Sequence, residues 1–417
     1  MSSSAMKAME KITTGISGFD HIAFGGLPKH RTTLVVGTSG SSKTLLAVQF
    51  LVEGIRKGES GVFVTFEESP QDIIRNVIGF GWDLEQYITD GKLVFVDASP
   101  QTEQIDIQIG TDFDLCALVA RIGYAVKKVN AQRLSVDSLG SVFSQFTAME
   151  VVRRELHRVF MDLKKLSVTA IVTAERVEEY GALARFGVEE FAADNVLILR
   201  NVLVEERRRR TIEILKFRGS FHHKGEFPFS ITTDEGIVVI PLAETALDQK
   251  SSTDRVSSGN AVLDEMCGGG YYRDSIILLS GGTGCGKTLL IAMFAIANQG
   301  PNERALYFAY EESREQLTRN AAGWGINFEK LEQEGKLKII CRYPESMSME
   351  DHLLLMKKEI IDYKPTRIAV DSLSALERVT NGKAFREFVI GITSFVKKKQ
   401  IVGLFSSTTS SLMGGAR

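Results

Sequence analysis

The chain contains one long segment twice, and this internal repeat constrains its fold more than any other feature. Residues from Thr13, reading TTGISGFDHIAFGGLPKHRTTLVVGTSGSSKTLL, align without a net gap with residues from Ser257, reading SSGNAVLDEMCGGGYYRDSIILLSGGTGCGKTLL. The offset of 244 residues (257 − 13) persists through FEESPQDIIRN and YEESREQLTRN. Self-similarity on this scale predicts two homologous domains built on one plan.

The repeat also locates a domain boundary. The shared text reaches RLSVDSLGSV and RIAVDSLSAL, where Asp137 and Asp371 are 234 residues apart (371 − 137). Between the copies, the polar stretch ALDQKSSTDRVS at residues 246–257 is typical of a linker. A chain of 417 residues suits two domains. We therefore predict a first domain at residues 1–247 and a second at residues 248–417.

Nearly continuous apolar runs alternate with helical patterns in both copies. TTLVV and SIILL each feed a glycine-rich loop, and GVFVTF, KLVFVDA, RLSVD and TAIVTA follow in the first copy. Runs of this kind are typical of strands buried on both faces of a parallel sheet. The predicted fold class is α/β, with a mostly parallel central sheet in each domain.

The two copies differ in length. The second has 46 residues after Asp371 (417 − 371), whereas the first has about 110 between Asp137 and the linker. The second copy therefore lacks a counterpart of residues 186 to about 245, including the strands NVLILRNV and RRTIEILKFRG. We expect the second domain to be truncated at its C-terminal end, because the chain is either a fragment of a longer protein or a natural truncation.

Composition excludes several classes of protein. The formal net charge of −2 gives no general reason to expect a nucleic-acid partner. The four cysteines are widely spaced, so neither a zinc knuckle nor a disulfide framework is indicated. No signal sequence or membrane-spanning run is recognisable, and we expect a cytoplasmic protein.

Each copy carries a phosphate-loop motif. GGTGCGKT at residues 281–288 fits G-x-x-x-x-G-K-[ST] at every position, but GTSGSSKT at residues 37–44 has Ser42 in place of the second glycine. We expect Ser42 to weaken or tighten nucleotide binding rather than abolish it, with a dead site retained as scaffold as the alternative. The candidate phosphate-binding residues are Ser39, Gly40, Ser41, Ser42, Lys43 and Thr44 in the first copy and Thr283, Gly284, Cys285, Gly286, Lys287 and Thr288 in the second.

Carboxylates end two further strands in each copy. Asp137 and Asp371 stand where a phosphate-loop enzyme binds Mg²⁺ together with the loop hydroxyl of Thr44 or Thr288.

Paired glutamates, Glu67 with Glu68 and Glu311 with Glu312, also end strands, and each pair precedes a helix-start signal. A carboxylate beside the terminal phosphate can orient or deprotonate the attacking group. We predict that these glutamates are catalytic.

Two basic segments follow in the first copy. Lys216 and Arg218, in KFRGSFHHKGE, leave one strand face and could neutralise charge on a transferring phosphoryl group, in cis or from a neighbouring subunit. By themselves they are more typical of solvated edge charges. The run EERRRR at residues 205–210 is typical of a solvated hairpin turn.

Together the duplicated loop, the EES after the next strand, VDS and the KFRGSFHHKGE segment resemble the KaiC family of circadian-clock ATPases and autokinases, which are RecA-like. The resemblance covers essentially the whole chain. It implies tandem RecA-like domains in a double-ring hexamer, with ATP and Mg²⁺ at subunit interfaces. It also implies a slow ATPase in the first domain, a Ser/Thr autokinase and autophosphatase in the second, and KaiA-type and KaiB-type partners.

The resemblance also assigns residues. It places on the neighbouring subunit's nucleotide the residues Lys216, Phe217, Arg218, Ser220, His222, Thr232 and Asp234. It adds to the nucleotide sites Leu45, Leu289 and Trp324, and it adds Glu311 to the Mg²⁺ ligands.

The end of the chain departs from the family pattern. The family's acceptor Ser-Thr pair, its second finger strand and its KaiA-binding tail would lie beyond Arg417, and residues 406–411 align with a strand end instead. We therefore expect no autophosphorylation at the family's sites. Two alternative functions stay open: a RecA-like DNA-dependent ATPase, and a non-catalytic ATP-dependent assembly scaffold.

Overall fold

A computed structural model of the chain describes residues 9–99, 115–138, 140, 149–181, 193–204, 206–241, 251–297 and 303–409. The chain divides into two compact units, residues 1–241 and residues 242–417. Part of the predicted linker, residues 246–250, lies outside the described residues.

The first unit is built on a mostly parallel sheet. Its described strands are β1 (Lys11–Ile12), β2 (Leu27–Pro28), β3 (Thr32–Gly37), β4 (Gly61–Thr65), β5 (Leu93–Asp97), β6 (Arg133–Asp137), β7 (Thr169–Glu175), β8 (Asn195–Val204), β9 (Arg207–Phe217), β10 (Glu226–Thr232) and β11 (Gly236–Val239). Nine of them form one sheet in the order β11-β10-β9-β8-β3-β7-β6-β4-β5. Strands β3 to β8 are parallel, and β9, β10 and β11 extend the sheet antiparallel to their neighbours.

Helices cover both faces of this sheet. The described helices of the first unit are α1 (Phe19–Ile22), α2 (Lys43–Arg56), α3 (Pro70–Val77), α4 (Leu84–Thr89), α5 (Leu115–Val129) and α6 (Met149–Lys165). Along β3, Leu34 and Val36 join the core shared with α5 and α6, whereas Val35 joins the core shared with α2 and α3. Because successive side chains of a strand point to opposite faces, an apolar run such as TTLVV serves both cores.

The second unit repeats this plan. Its described strands are β12 (Arg255–Val256), β13 (Tyr271–Tyr272), β14 (Ile276–Gly281), β15 (Ala305–Ala309), β16 (Leu337–Cys341), β17 (Arg367–Asp371) and β18 (Val402–Thr408). Its described helices are α7 (Ala261–Met266), α8 (Lys287–Ile296), α9 (Arg314–Gly323), α10 (Phe328–Gln333), α11 (Met349–Tyr363), α12 (Leu373–Arg378) and α13 (Gly382–Lys398).

The sheet of the second unit is wholly parallel, in the order β14-β18-β17-β15-β16. This order reproduces β3-β7-β6-β4-β5 of the first unit, so the prediction of an α/β fold with mostly parallel sheets is confirmed.

The two sheets differ beside the strand that feeds the phosphate loop. In the first unit β3 lies between β7 and β8, whereas in the described part of the second unit β14 is the edge strand. Leu278 of β14 is 60% exposed, but the equivalent Leu34 (278 − 244) is fully buried. The second unit thus shows an apolar strand edge that the first unit covers.

The described residues also bear on the predictions about membrane spans, cysteines and the EERRRR run. No helix among them is both long and apolar enough to cross a membrane. The four cysteines all lie among the described residues, and none of them forms a disulfide bond. The run EERRRR lies where β8 ends at Val204 and β9 begins at Arg207, so the predicted hairpin is confirmed. The prediction that the whole run forms the turn was wrong, because its four arginines pair with β8 as the first residues of β9. Glu205 lies outside the described residues.

Candidate functional site

The candidate residues converge at the carboxyl edge of each parallel sheet. The loops follow β3 and β14, and the helices after them begin at Lys43 and Lys287. Asp137 ends β6 and Asp371 ends β17. Backbone N–H groups at the start of such a helix point out of its N-terminus, which makes this edge suited to a phosphate.

Both lysines have the same conformation. Lys43 donates from Nζ to the carbonyls of Gly37 at 3.0 Å and Thr38 at 2.9 Å. Lys287 donates to the equivalent carbonyls of Gly281 at 2.9 Å and Gly282 at 2.8 Å. Burial lowers the pKa of Lys43, and the nearby carboxylates oppose that shift. The loop with Ser42 therefore folds as the loop without it does.

The first glycine of the first loop is required by space. A Cβ on Gly37 would lie 2.3 Å from Ser41 Oγ and 2.8 Å from the backbone carbonyl oxygen of Leu199, so a side chain there would force the backbone apart. On Gly281 a Cβ would lie 2.7 Å from Cys285 Sγ, a side-chain atom that can rotate away.

Ser42 departs from the motif for a different physical reason. It adopts φ 74° and ψ 30°, close to the φ 90° and ψ 16° of Gly286. A Cβ built on Gly286 meets no atom within 4 Å, so this position has room for a side chain. The substitution costs backbone strain of about 1–2 kcal/mol, as for other L residues in the left-handed region.

The loop hydroxyls and the strand-end aspartates lie in direct contact. Thr44 Oγ1 donates to Asp137 Oδ2 at 2.6 Å, and Thr288 Oγ1 donates to Asp371 Oδ2 at 2.8 Å. The other oxygen of each aspartate accepts from a hydroxyl on the adjacent strand: Thr173 of β7 for Asp137 and Ser406 of β18 for Asp371.

Tyr307 adds a contact that the first unit lacks. Its phenol donates to Asp371 Oδ2 at 3.3 Å, whereas the equivalent residue of the first unit (307 − 244) is Phe63. Burial, followed by the charge of Asp371, raises the pKa of Tyr307 well above its usual value, so the phenol is a neutral donor.

The donor set fits Mg²⁺. No cluster of three His, Cys, Asp or Glu side chains is found among the described residues. Mg²⁺ in nucleotide sites is instead held by one or two carboxylates, a loop hydroxyl and substrate phosphates. Thr44 with Asp137, and Thr288 with Asp371, supply one hydroxyl and one carboxylate each.

The two glutamates of each pair have different partners. Glu68 accepts from Asn76 Nδ2 at 3.0 Å, and Glu312 accepts from the equivalent Asn320 at 3.2 Å. These contacts turn the second glutamate of each pair toward the helix that follows.

The first glutamate of each pair makes a contact with the aspartate-bearing segment or the helix after it. Glu67 Oε1 accepts from Ser138 Oγ at 3.4 Å, and Glu311 pairs with Arg378 at 3.0 Å. Burial raises the pKa of Glu67, and the carboxylates of Glu175 and Asp137 raise it further. The surroundings of Glu67 therefore favour its protonated form more than water does.

The helix-start signals after the glutamates are confirmed. Ser69 caps α3 by accepting from the amide of Asp72, and Pro70 is its first residue. Ser313 and Gln316 form a capping box at α9. These caps fix the residue at which each helix begins. They therefore also fix the position of each glutamate pair between its strand and its helix.

Lys216 and Arg218 lie at the other edge of the sheet. Gly37 pairs with Leu199, and Asn195, four residues earlier on β8, pairs with Phe217. Four residues correspond to about 13 Å along a strand. The two cations are thus separated from the phosphate loop of their own unit, and they are not simply solvated, since Lys216 donates to the Ala193 carbonyl at 2.9 Å.

The remaining assigned residues are spread over several elements. Ser220 and His222 follow β9, Thr232 ends β10, and Asp234 lies in the turn before β11. β10 spans seven residues, or about 20 Å, so the residues at its two ends do not meet. Leu45 and Leu289 lie in the first turn of their helices, and Trp324 is 39% exposed at the end of α9.

Sequence reasoning missed one part of the site. Glu179 accepts from Thr38 Oγ1 at 2.6 Å and from the amide of Asn201 at 3.1 Å, and Asn201 Nδ2 donates to the Gly40 carbonyl at 3.4 Å. This bridge ties the first phosphate loop to β8. The repeat does not mark this bridge in the sequence. It does mark Asn76 and Asn320, the partners of the second glutamates, which recur in IIRN and LTRN.

Comparison with known proteins identifies the family. The family model described as "ATPase: KaiC" matches residues 12–244 and 256–416. The circadian clock protein KaiC3 of Synechocystis sp. is 59% identical over 408 residues, covering 98% of this chain and 81% of that protein. The circadian clock oscillator protein KaiC of Thermostichus vulcanus is 58% identical over 407 residues, covering 97% of this chain and 78% of that protein.

These matches agree with the tandem RecA-like architecture and give no support to a DNA-dependent ATPase or an assembly scaffold. The chain belongs to the KaiC family of ATPases.

Proposed function

We propose that the chain is a circadian-clock ATPase that binds ATP with Mg²⁺ at both phosphate loops and hydrolyses ATP in its first unit. The observation that carries this proposal is the repeated constellation of lysine, threonine and aspartate, with the same contacts in both units. The family membership and the names of its relatives support it.

The side chains have separate tasks in this proposal. Lys43 would exchange its two loop carbonyls for the phosphates, and Thr44 with Asp137 would hold Mg²⁺, which would neutralise phosphate charge. Glu67 orients the attacking water and accepts its proton. Lys216 and Arg218 lie too far from their own loop, so they serve the nucleotide of a neighbouring copy.

Completion of each site by a neighbour calls for a ring. We propose a homo-hexamer with ATP at the subunit interfaces, in which Phe217, Ser220, His222, Thr232 and Asp234 also face the neighbour's nucleotide. KaiA-type and KaiB-type clock proteins are the proposed partners. Domain boundaries at residues 1–247 and 248–417 remain part of the proposal.

The second unit has the loop, aspartate and glutamate pair that a Ser/Thr autokinase needs. Ser406, the hydroxyl nearest to Asp371, is fully buried and donates to that aspartate, so it is unsuited as an acceptor. We propose that this chain hydrolyses ATP without phosphorylating residues 406–409. Transfer of label from γ-labelled ATP, followed by mass spectrometry, checks this.

Phosphate release tests the proposal as a whole. Lys43→Gln should remove turnover by the first unit, and Lys287→Gln should remove nucleotide binding by the second. Equal turnover in the parent protein and in Lys43→Gln would contradict hydrolysis by the first unit. Stimulation of turnover by single-stranded DNA would favour the DNA-dependent ATPase instead.

A further inference from the structure

Asp194, which directly precedes β8, is a buried carboxylate shared by three cations. It is 4% exposed. Arg31 Nη1 lies 3.0 Å from Oδ1, Arg218 Nη1 lies 3.5 Å from Oδ1, and Lys164 Nζ lies 3.6 Å from Oδ2. These cations come from the segment before β3, from the end of α6 and from the residue after β9. Three positive charges against one negative charge leave this cluster positive.

The same short segment also fixes the end of β9. The amide of Arg218 donates to the Asp194 carbonyl at 3.3 Å, and Lys216 Nζ donates to the carbonyl of Ala193 at 2.9 Å. Residues 193 and 194 therefore hold both of the cations that the proposed function assigns to a neighbour's nucleotide.

Arg218 is the member of the cluster best placed to reach another molecule. Its side chain is 53% exposed, whereas those of Arg31 and Lys164 are 32% and 46% exposed. A cavity of about 170 Å³, bordered by Lys164, Asp194 and Arg218, leaves room beside the guanidinium.

The number of cations around Asp194 determines whether Arg218 can leave this carboxylate. A buried carboxylate that loses its sole cation is strongly destabilised. Asp194 would keep Arg31 and Lys164 if Arg218 moved to a phosphate. The cluster thus orients Arg218 in the free protein and does not bind it irreversibly.

We propose that Asp194 is a positioning residue for Arg218: it holds the guanidinium at the sheet edge in the orientation from which Arg218 engages a phosphate of the neighbouring copy's nucleotide. This inference rests on the proposed function, in which Arg218 completes a neighbour's site. Because misplacement of a catalytic group by about 1 Å can lower a rate by about 100-fold, loss of the carboxylate should be visible in turnover.

The test measures kcat and KM for ATP in the full chain, in a Lys287→Gln background that leaves the first unit as the hydrolysing one. Asp194→Asn should lower kcat about tenfold or more, with KM within about twofold, because the unit's own loop is untouched. Arg218→Gln should lower kcat at least as much. Asp194→Asn added to Arg218→Gln should then cause no further loss.

A matched control separates positioning from stability. Glu59→Gln removes the carboxylate 2.5 Å from buried Arg133, at the same edge of the same sheet but far from Arg218. It should lower Tm without changing kcat. Asp194→Glu keeps the charge and displaces it by one methylene, so it should keep Tm near the parent value and still lower kcat.

The outcomes are distinct. Unchanged kcat in Asp194→Asn or Asp194→Glu, or additive losses in the double variant, would overturn the role of Asp194 while leaving the proposed ATPase intact. Unchanged kcat in Arg218→Gln would remove the interface role of Arg218 from the proposed function, and the role of Asp194 with it.

Discussion

The hydroxyl of Thr44 donates a hydrogen bond of 2.6 Å to Asp137. In the second unit Thr288 and Asp371 repeat the contact at 2.8 Å. One phosphate loop matches its motif at every position and the other does not, yet the pair has the same geometry in both. The substitution at Ser42 has therefore left the hydroxyl and the carboxylate in place.

This pair predicts how Mg²⁺ is bound. Thr44→Val removes the hydroxyl and leaves Asp137 with Thr173 as its partner. The Mg²⁺ concentration for half-maximal ATPase activity should rise about 10–100-fold. Thr44→Ser keeps the hydroxyl and is the control; an unchanged Mg²⁺ titration in Thr44→Val would exclude this ligand.

Ser42 and Gly286 form a reciprocal pair of tests. Ser42→Gly relieves left-handed strain but adds backbone entropy to the unfolded chain, so the free energy of unfolding should rise by about 0.5–1 kcal/mol. Gly286→Ser should lower it by a similar amount, as followed by denaturant titration.

Nucleotide affinity is the second readout of that pair. We predict that the first loop binds ATP and that Ser42→Gly changes its affinity or turnover measurably. Absence of nucleotide from the first loop of the parent protein would show that this interpretation of GTSGSSKT is wrong.

The two glutamates of the first unit should not be equivalent. Glu67→Gln should lower kcat by about 100-fold or more with nucleotide binding retained, since it removes a general base. Glu68→Gln should have a smaller effect, because Asn76 holds that carboxylate toward α3. Steady-state ATPase assays with separate binding measurements check this, and equal losses would show that both glutamates act on the reacting water.

Glu67 also predicts a pH dependence. Its pKa is raised above the usual 4.5 by burial and by neighbouring carboxylates. Only the deprotonated form acts as a base, so activity of the first unit should fall as the pH drops through this raised pKa.

The raised pKa of Glu67 also predicts how the stability of the fold depends on pH. Between the unfolded and folded pKa values the folded state binds more protons, so stability falls as the pH rises through that window. Glu67→Gln should therefore raise Tm slightly at neutral pH and flatten this dependence. A lower Tm would contradict the direction of the shift.

The repeat made much of the fold predictable. Apolar runs such as TTLVV indicated buried parallel strands, and the serine after each glutamate pair indicated where a helix begins. These signals are local, so a sequence shows them directly. The loops, the strand-end aspartates and the glutamates could be named for the same reason.

Contacts between distant residues could not be predicted. Glu179 reaches Thr38 across 141 positions, and Asp194 reaches Arg31 across 163. Each depends on which strands become neighbours in the sheet. The sequence also could not show why a serine is tolerated at position 42. Glycine in a motif can reflect either a lack of space for a side chain or an unusual φ, and the structure is needed to distinguish them.

Among the described residues of the second unit β14 is an edge strand, and this edge bears on how the polypeptide behaves at high concentration. An apolar strand with hydrogen-bonding groups on one side unused by its own described sheet is a template for any extended segment. Pairing of this kind needs no particular side-chain sequence, so it competes with correct assembly. Preparations of this chain should aggregate through the second unit before the first, and a charged substitution at Leu278 should keep them dispersed.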